Sequence, residues 1–381
     1  MQPLTAPPRD DLTADQVKAL LTGPRMQVSS GLELLDASLN LVEDISADMQ
    51  SWTVKRSMTP DVVVHGQLDL TISRELAWGR DRVRPFMTLS NAGVSARFNL
   101  GVYMATSTPT NDAGETPRTW KVSCSDQLYL LQNYVEDSYQ FDSGTVVLDA
   151  IRDLLTDAGW TAPVLLDSTA AGKTLDSPMS FLVTESDTPT FIAILNSLLA
   201  AIAYQAAWCD WDGALRSGPI VAPENRPSEW DFLVGDIRRG VVSGDRNSAA
   251  ELWNAPNYRK FVRKGLTTAP ADGSGSTVRE NEDVGLSSQA SVERVVRAPV
   301  QFVDAVDQDA LEAQADAIQA AGLRATETLT AKTSPFPLAW HLDVVTWQDA
   351  VLGNRKAQST QLQLDSKGSD MTYVLQSVSS G

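Results

Sequence analysis

The sequence predicts a β-rich α+β protein in which antiparallel strands flank a helix-containing middle section. Three observations predict this class: strand-type alternation before residue 125, helical spacing between residues 145 and 202, and a return to strand patterns, with one long helix, towards the C-terminus. The chain has 381 residues, 43% of them hydrophobic. A chain of this size and composition is expected to form roughly two to four domains with packed cores.

The first 34 residues are predicted to form an N-terminal arm. Val17, Leu20 and Leu21 have helical spacing, which predicts a short helix over residues 15–21. Gly23 and Pro24 end it, and a loop is expected up to residue 31. We expect this arm to pack on a neighbouring domain or subunit.

The next segment, residues 35–124, is predicted to contribute most of a first β domain. Apolar and polar residues alternate along several short runs, and turn residues separate these runs. Successive antiparallel strands favour a small barrel or sandwich. The clearest strand patterns span residues 62–64, 68–72, 84–89, 98–104 and 120–124.

The middle segment, residues 125–207, is predicted to be an inserted domain with helices. Apolar residues recur at helical spacing over 145–158, and Gly159 follows them. A second helix over 191–202 is apolar nearly all round, with Thr188 as its predicted N-cap and Pro189 as its first residue. A strand and a tight turn should follow, and we assign residues from about 208 to 248 to the first β domain.

The C-terminal segment, residues 249–381, is predicted to be a second β domain with a helix over residues 307–329. The stretch 266–288 is rich in small and polar residues and is expected to be an exposed loop. Prolines near residue 335 should end the helix. Strand patterns at the end of the first domain and in this segment span residues 231–242, 252–264, 342–347, 358–364 and 371–378.

Charge, hydropathy and cysteine content exclude several classes of protein. The formal net charge is -17, from 48 acidic and 31 basic residues, so the basic surface expected of a protein that grips nucleic acid is missing. No apolar run reaches the roughly 20 residues of a membrane span, and the proline-rich residues 1–11 do not have the apolar core of a secretory signal. We therefore expect assembly in a cytoplasm, with Cys124 and Cys209 as two buried thiols.

One stretch, residues 167–174, resembles part of a phosphate-binding loop. Its Gly172, Lys173 and Thr174 fit the end of that motif. The motif requires a glycine five positions before this group, where the sequence has Asp167, whose carboxylate would repel a phosphate. A surface turn is the favoured interpretation.

Candidate catalytic residues are few. His65 lies between two strand patterns and His341 lies within one, and both are interpreted as structural. No serine has the glycine-flanked elbow of a hydrolase. Asp210 and Asp212 resemble part of a calcium loop, but the remaining ligands are missing and a β-turn is favoured. The sequence assigns no catalytic, cofactor-binding or metal residue, and we predict that the protein is not an enzyme.

Tryptophan is frequent, with 10 in the chain. Large aromatic side chains can stack on sugar rings, or they can fill a core or a subunit interface. The second use is favoured here for the two pairs that lie close in sequence, Trp208 with Trp211 and Trp340 with Trp347.

The order of elements resembles that of the bacteriophage tail hub family, which includes baseplate hubs and the N-terminal hub region of siphophage tail-associated proteins. The resemblance covers about residues 34–378. Four features carry it: the closing strand at 119–126, the helical insert that follows, the helix, strand and turn over 189–215, and the late helix followed by a C-terminal hairpin. It implies two tail-tube-like antiparallel β-barrel domains with a helix-containing insert domain.

The resemblance also implies a mechanical function. Three chains would form a homotrimeric ring that adapts a sixfold tail tube to a threefold tip and leaves a channel through which DNA passes without specific binding. Implied partners are the distal tail or tail-tube protein, the tape measure protein, and other tail-tip or fibre proteins. The implied location is the virion tail tip, after assembly in the host bacterial cytoplasm.

Two alternatives stay open at this point. A carboxylate-based cell-wall hydrolase would use side chains near Asp210 and Asp212. A carbohydrate-binding tail protein would use exposed tryptophans such as Trp211.

Overall fold

A computed structural model describes most of the chain: residues 1–9, 11–23, 26–58, 65–112, 118–185, 188–235, 246–250, 255–264, 275–283, 287–324, 327–368 and 370–378. The helices are α1 (Ala14–Thr22), α2 (Val147–Asp157), α3 (Phe191–Ala201), α4 (Gln289–Val292) and α5 (Gln308–Arg324), with 3-10 turns at Gln127–Gln132 and Pro223–Asn225. The strands of the first half are β1 (Gln27–Leu35), β2 (Leu41–Asp44), β3 (Met49–Ser57), β4 (Gly66–Ile72), β5 (Arg82–Asn91), β6 (Val94–Asn99), β7 (Tyr103–Ala105), β8 (Thr110–Asp112), β9 (Thr119–Asp126), β10 (Tyr139–Phe141), β11 (Val164–Leu166) and β12 (Met179–Phe181). Those of the second half are β13 (Trp208–Cys209), β14 (Leu215–Ser217), β15 (Trp230–Leu233), β16 (Asn247–Ala250), β17 (Tyr258–Arg263), β18 (Ser276–Glu280), β19 (Gln301–Val303), β20 (Glu327–Thr333), β21 (Val344–Gln348), β22 (Arg355–Asp365) and β23 (Met371–Ser377).

One sheet of 15 strands dominates the fold and confirms the β-rich α+β class. Eleven strands follow the order β16-β20-β23-β22-β3-β4-β9-β7-β5-β1-β2, and β6, β8, β15 and β21 branch from this path. The ladders in the sheet are antiparallel apart from the β15–β21 pair. Among the described strands no ladder closes a sheet on itself, so the two separate barrels stay a prediction.

The β3–β22 ladder, which we call the seam, joins the N-terminal strands to the C-terminal strands. Five residue pairs form it, from Ser57 opposite Gln361 to Thr53 opposite Asp365. A single hydrophobic core lies across this seam and includes buried side chains from both strand sets. The sequence patterns identify the strands on either side but not this pairing, because the two strands are about 300 residues apart.

The insert has a core of its own, built on α2 and α3. Leu154 and Leu195 are buried in it, because the apolar faces of both helices turn inward. Two small sheets, β10-β12 and β11-β14-β13, lie beside these helices. A third small sheet, β18-β17-β19, packs Phe261 against Leu311 and Ala315 of α5.

The helices α1, α2 and α3 confirm the helical predictions to within about two residues at each end. The N-cap of α3 differs from the prediction. Thr190, not Thr188, accepts the hydrogen bond from the Ala193 N–H, at 3.3 Å. Pro189 therefore precedes the helix instead of opening it.

The prediction of a loop up to residue 31 is wrong from residue 27 onward, because β1 begins there. The N-terminal arm over residues 1–34 as a unit stays a prediction. This strand pairs with β5 over nine residues, from Gln27 opposite Ser90 to Leu35 opposite Arg82. Gly31 looked like a loop residue in the sequence. In the sheet, a Cβ at this position would lie 2.2 Å from the Phe86 ring, so the glycine allows a close approach within a strand.

Two predictions in the C-terminal segment are also wrong. The helix α5 ends at Arg324, and Leu329 lies in β20 opposite Leu375. The stretch 276–280 is strand β18, paired with β17 over five residues, although it falls in the predicted loop. In both places tertiary pairing overrides a weak local preference. The predictions for 62–64, 236–242, 252–254, 266–274 and 284–286 lie outside the described residues.

In the described part of residues 208–248, strands pair with the insert and with the C-terminal segment. The strand β14 pairs with β13 on one side and with β11 on the other, which places residues 208–217 beside the insert. The strand β15 pairs with β21 of the C-terminal segment. The strand β13 lies beside the insert because it follows α3 after a short connection. The strand β15 lies beside the C-terminal strands because of its long-range pairing with β21. The domain boundaries as such stay a prediction.

Candidate functional site

The most unusual side-chain cluster lies where the N-terminal strands, the insert and the C-terminal strands meet. We call it the junction cluster, and it contains a cationic side chain, two histidines and three tryptophans from three distant stretches of the sequence, around residues 56–65, 208–211 and 340–341. Its members are Arg56, His65, Tyr103, Asp126, Trp208, Trp211, Trp340 and His341.

Arg56 is the centre of the cluster. It points inward from β3 and is 2% exposed. One guanidinium nitrogen donates to the Leu100 carbonyl and to the Tyr103 hydroxyl, each at 2.9 Å. The guanidinium carbon lies 3.5 Å from the centroid of the Trp340 ring, so a cation–π contact ties the N-terminal strands to the C-terminal segment.

Asp126, at the end of β9, is a buried acidic side chain whose charge interacts with that of Arg56. Its carboxylate accepts hydrogen bonds from the Gly66 N–H at 2.6 Å and the Leu128 N–H at 3.1 Å. Burial raises the pKa of Asp126 to about 6, although Arg56 and these N–H groups oppose the rise. A Cβ on Gly66 would lie 2.9 Å from this carboxylate, which explains a glycine at the start of β4.

The aromatic side chains continue the cluster into the insert. The His65 and His341 rings lie 5.6 Å apart, and Trp208 meets His341 edge to face at 5.3 Å. Trp211 and Trp340 form a second edge-to-face pair at 5.8 Å. His65, His341, Trp211 and Trp340 are all buried in the protein. The structural role of the two histidines stays a prediction.

The two histidines are held uncharged. His65 Nδ1 donates to the Ser57 carbonyl at 3.2 Å. Burial lowers the pKa of His65 to about 4 and lowers that of His341 well below its ordinary value, and the positive charge of Arg56 adds to both effects. Within the described residues, neither ring nitrogen of His341 has a hydrogen-bond partner.

The aspartates proposed as catalytic alternatives hold a turn. Asp210 receives the Arg216 Nε–H at 2.6 Å and the backbone N–H groups of Asp212 and Ala214 at 3.0 and 2.9 Å. Asp212 accepts from the Asn99 side chain at 2.7 Å. These contacts explain the two aspartates as a β-turn that fastens β13 and β14 to the N-terminal strands.

The stretch that resembles a phosphate-binding loop is a surface turn, as predicted. Asp167 accepts from the Thr169 N–H at 2.7 Å, and Lys173 pairs with Asp307 at 2.5 Å, the residue just before α5. The lysine therefore connects the insert to the C-terminal segment. No helix begins after this turn in the way that a phosphate cradle requires.

Three further findings concern the part of the chain that the structure describes. Cys124 and Cys209 are both free and buried, as predicted, and burial raises the pKa of Cys124 to about 12. No group of three or more potential ligand side chains is placed to hold a metal ion. No described helix is long and apolar enough to cross a membrane.

A small cleft of about 140 Å³ opens on the junction cluster, lined by Trp208, Trp211, Trp340, His341 and Asp343 among others. Sequence reasoning missed this cluster, since it named most of the members but could not bring them together. The signal available was the unusual aromatic content of the stretches around 208–211 and 340–341.

Solved structures share this fold over nearly the whole chain. A tail protein from Neisseria meningitidis MC58 has a TM-score of 0.62 at 13% identity, covering 92% of this chain and 96% of that one. The 43 kDa tail protein of prophage MuSo2 from Shewanella oneidensis has a TM-score of 0.59 at 10% identity, covering 91% and 98%. A chain in the Francisella PdpA–VgrG complex has a TM-score of 0.53 at 10% identity, covering 96% of this chain and 61% of that one.

No protein-family model matches the chain, and no curated protein sequence matches it. The similarity of this chain to known proteins therefore lies in its fold. The order of elements that resembles the tail hub family in the sequence is found again in the arrangement of strands and helices, and this chain has the fold of phage tail proteins.

Proposed function

We propose that this protein is a structural hub at the distal end of a phage tail. Three copies form a ring that adapts the sixfold tail tube above to the threefold tip below, and the ring leaves a channel for DNA. The fold shared with phage tail proteins supports this proposal at the level of architecture.

The seam is the observation that carries the proposal. It fixes the N-terminal and C-terminal strand sets edge to edge in one sheet, with a common core across them. If each set acts as one tube-like unit, then three chains present six units around one axis. A closed ring of this kind is built from head-to-tail contacts between identical subunits.

The charge of the chain supports a channel that DNA crosses without binding. A net charge of -17 per subunit gives the ring a strongly negative field, and like charges keep a phosphate backbone from adhering. The proposed partners are the tail-tube or distal tail protein on one face, the tape measure protein, and tip or fibre proteins on the other. The protein would act in the virion after assembly in the host cytoplasm.

Two measurements together test the proposal: the mass of the purified protein in solution and an image of the end of the tail. Light scattering should give three times the chain mass of 41.2 kDa, and electron microscopy of tails should place a threefold ring with an axial pore at the tip. A chain that stays monomeric in the assembled tail would rule the hub out.

We also propose that the protein has no catalytic function of its own. The contacts of Asp210 and Asp212 support this, since both carboxylates are used by a turn and its anchor. Cell-wall zymography with the purified protein is the test. Clearing of the substrate by the native chain, lost in Asp212→Asn, would show a hydrolase instead.

A further inference from the structure

The face of the main sheet that points away from the core runs without a break across the seam. On β3, Val54 and Arg56 are buried and Lys55 between them is exposed, because side chains alternate along a strand. The strand register carries this alternation from β20 through β23, β22, β3 and β4 to β9.

Each of these six strands adds three side chains to this surface, which we call the outer face. Its members are Thr53, Lys55, Ser57, Gln67, Asp69, Thr71, Lys121, Ser123, Ser125, Thr328, Thr330, Lys332, Gln361, Gln363, Asp365, Thr372, Val374 and Gln376. None of them is buried.

Uncharged polar side chains dominate the outer face. Twelve of its members are Thr, Ser or Gln, and Val374 is its one apolar member. The centre of a protein–protein interface is apolar and rich in aromatic side chains, and only its rim is polar. The outer face therefore does not have the composition of a surface that another protein covers, and it is suited to remain in water.

The outer face is also close to neutral, although the protein is strongly acidic. Three lysines and two aspartates give it a net charge of +1, which leaves -18 for the rest of a chain whose total is -17. Lys55 pairs with Asp69 at 2.9 Å. Lys121 and Lys332 lie on strands five positions apart in the sheet, roughly 24 Å at the usual strand spacing. A surface that grips nucleic acid clusters its basic side chains, and this one disperses them.

We propose that the outer face lines the channel of the ring and is the wall along which DNA passes. This inference rests on the proposed function and names the surface that faces the axis. The lining of a ring of six units has to come from both strand sets of each chain, and the outer face extends over three strands on each side of the seam. Its hydroxyl and amide groups bind water, so DNA passes without the phosphate ion pairs that dominate DNA binding.

Cysteine accessibility in the trimer tests this lining. Gln363→Cys places a thiol on the outer face beside the seam, at an exposed position. Asp153→Cys is the matched control, because Asp153 is exposed on α2. That helix belongs to the insert, which meets the sheet from the other side, where Arg56 and Trp211 both contact Trp340. The native Cys124 and Cys209 are buried, so they do not compete for the reagent in the folded protein.

Each variant is treated with a small maleimide and with the same maleimide on a polymer too wide to enter a channel that fits one DNA duplex. In the trimer, both variants should react with the small reagent. Gln363→Cys should lose its reaction with the polymer, whereas Asp153→Cys should keep it. Dilution to monomer should restore the reaction of Gln363→Cys with the polymer, because the outer face is then open. Thermal unfolding shows that each variant is folded, and Gln67→Cys on β4 repeats the measurement on the N-terminal strand set.

Two results would overturn the lining and leave the ring standing. A trimer of Gln363→Cys that reacts with the polymer as Asp153→Cys does would place the outer face on the outside of the ring. A trimer in which neither Gln363→Cys nor Gln67→Cys reacts with the small reagent would show that a neighbouring subunit covers this face. A native protein that is monomeric at every concentration would overturn both proposals.

Discussion

The guanidinium of Arg56 links segments that are nearly 300 residues apart. It holds the Leu100 carbonyl and the Tyr103 hydroxyl on one side and the Trp340 ring on the other. A buried charge is tolerated only where such partners replace its hydration. The sequence has Lys55 next to Arg56. Only the alternation of side chains along a strand indicates that one of them is exposed and the other is buried.

Arg56→Ala should therefore destabilise the protein by about 3 kcal/mol, because two hydrogen bonds to a charged donor and a cation–π contact are lost together. Lys55→Ala is the control on the same strand. Its exposed ion pair with Asp69 is worth less than about 1 kcal/mol. Urea unfolding followed by fluorescence measures both, and equal midpoints for the two variants would contradict the role given to Arg56.

His65 makes the stability depend on pH. Its pKa is about 4 in the fold and near 6.5 when unfolded, so the unfolded chain takes up more protons between these values. Above pH 6.5 His65 is neutral in both states and does not reduce the free energy of unfolding. As the pH falls from 6.5 towards 4, the unfolded state gains the proton first and the free energy of unfolding decreases.

The His65→Asn variant isolates this effect. From pH 7 to pH 5 the native protein should lose roughly 2 kcal/mol more stability than the variant. Both proteins keep Asp126 and Asp343, whose pKa values burial raises to about 6 and about 7. These carboxyls act in the opposite direction, and the comparison between the two proteins cancels them. Parallel stability curves for native protein and variant would refute this assignment.

Among the elements, α3 shows where a local signal is precise and where it is ambiguous. The apolar run over 191–202 predicts the helix body, because a helix apolar nearly all round belongs in a core. The cap is ambiguous because the chain offers two threonines, Thr188 and Thr190, on either side of a proline. The backbone selects Thr190, which also forms a bridge to Tyr134.

Thr190→Ala should lower the free energy of unfolding by about 1 kcal/mol, the usual contribution of a threonine N-cap. Thr188→Ala, two residues earlier, is the matched control and should leave stability nearly unchanged. Thermal unfolding of the two variants is a sufficient measurement. A larger loss of stability in Thr188→Ala than in Thr190→Ala would show that Thr188 is the N-cap, as the sequence alone predicts.

The elements that sequence reasoning missed have a common physical cause. The strand β1 is buried along its second half, so it has no polar alternation. The strand β18 lies within a polar stretch and depends on its partner β17. The junction cluster brings together residues from β3, the insert and the C-terminal segment. Local preference identifies elements, whereas contacts over hundreds of residues decide edges, caps and sites.

At the scale of the whole molecule, the common core predicts that the two strand sets unfold together. Leu364 on β22 is 2% exposed and lies opposite Val54 on β3. Leu364→Ala should cost about 2–5 kcal/mol and should reduce amide protection on both sides of the seam. Hydrogen exchange by mass spectrometry should show faster exchange in β4 as well as in β23.

The corresponding control lies in the separate core of the insert. Leu195 on α3 is fully buried there, and Leu195→Ala is a change of the same chemistry. It should speed exchange in α2 and α3 more than in β4 and β23. Faster exchange confined to the C-terminal strands in Leu364→Ala would mean that the seam does not couple the two sets.

The seam also has a mechanical consequence. Hydrogen bonds in an antiparallel ladder run perpendicular to the strands. A pull along β3 and β22 in opposite directions loads all five residue pairs at once, whereas a pull that opens one end breaks them one after another. The joint between the two strand sets is therefore stiff against sliding and weak against peeling, so the direction of an applied force determines whether the two sets hold together or separate.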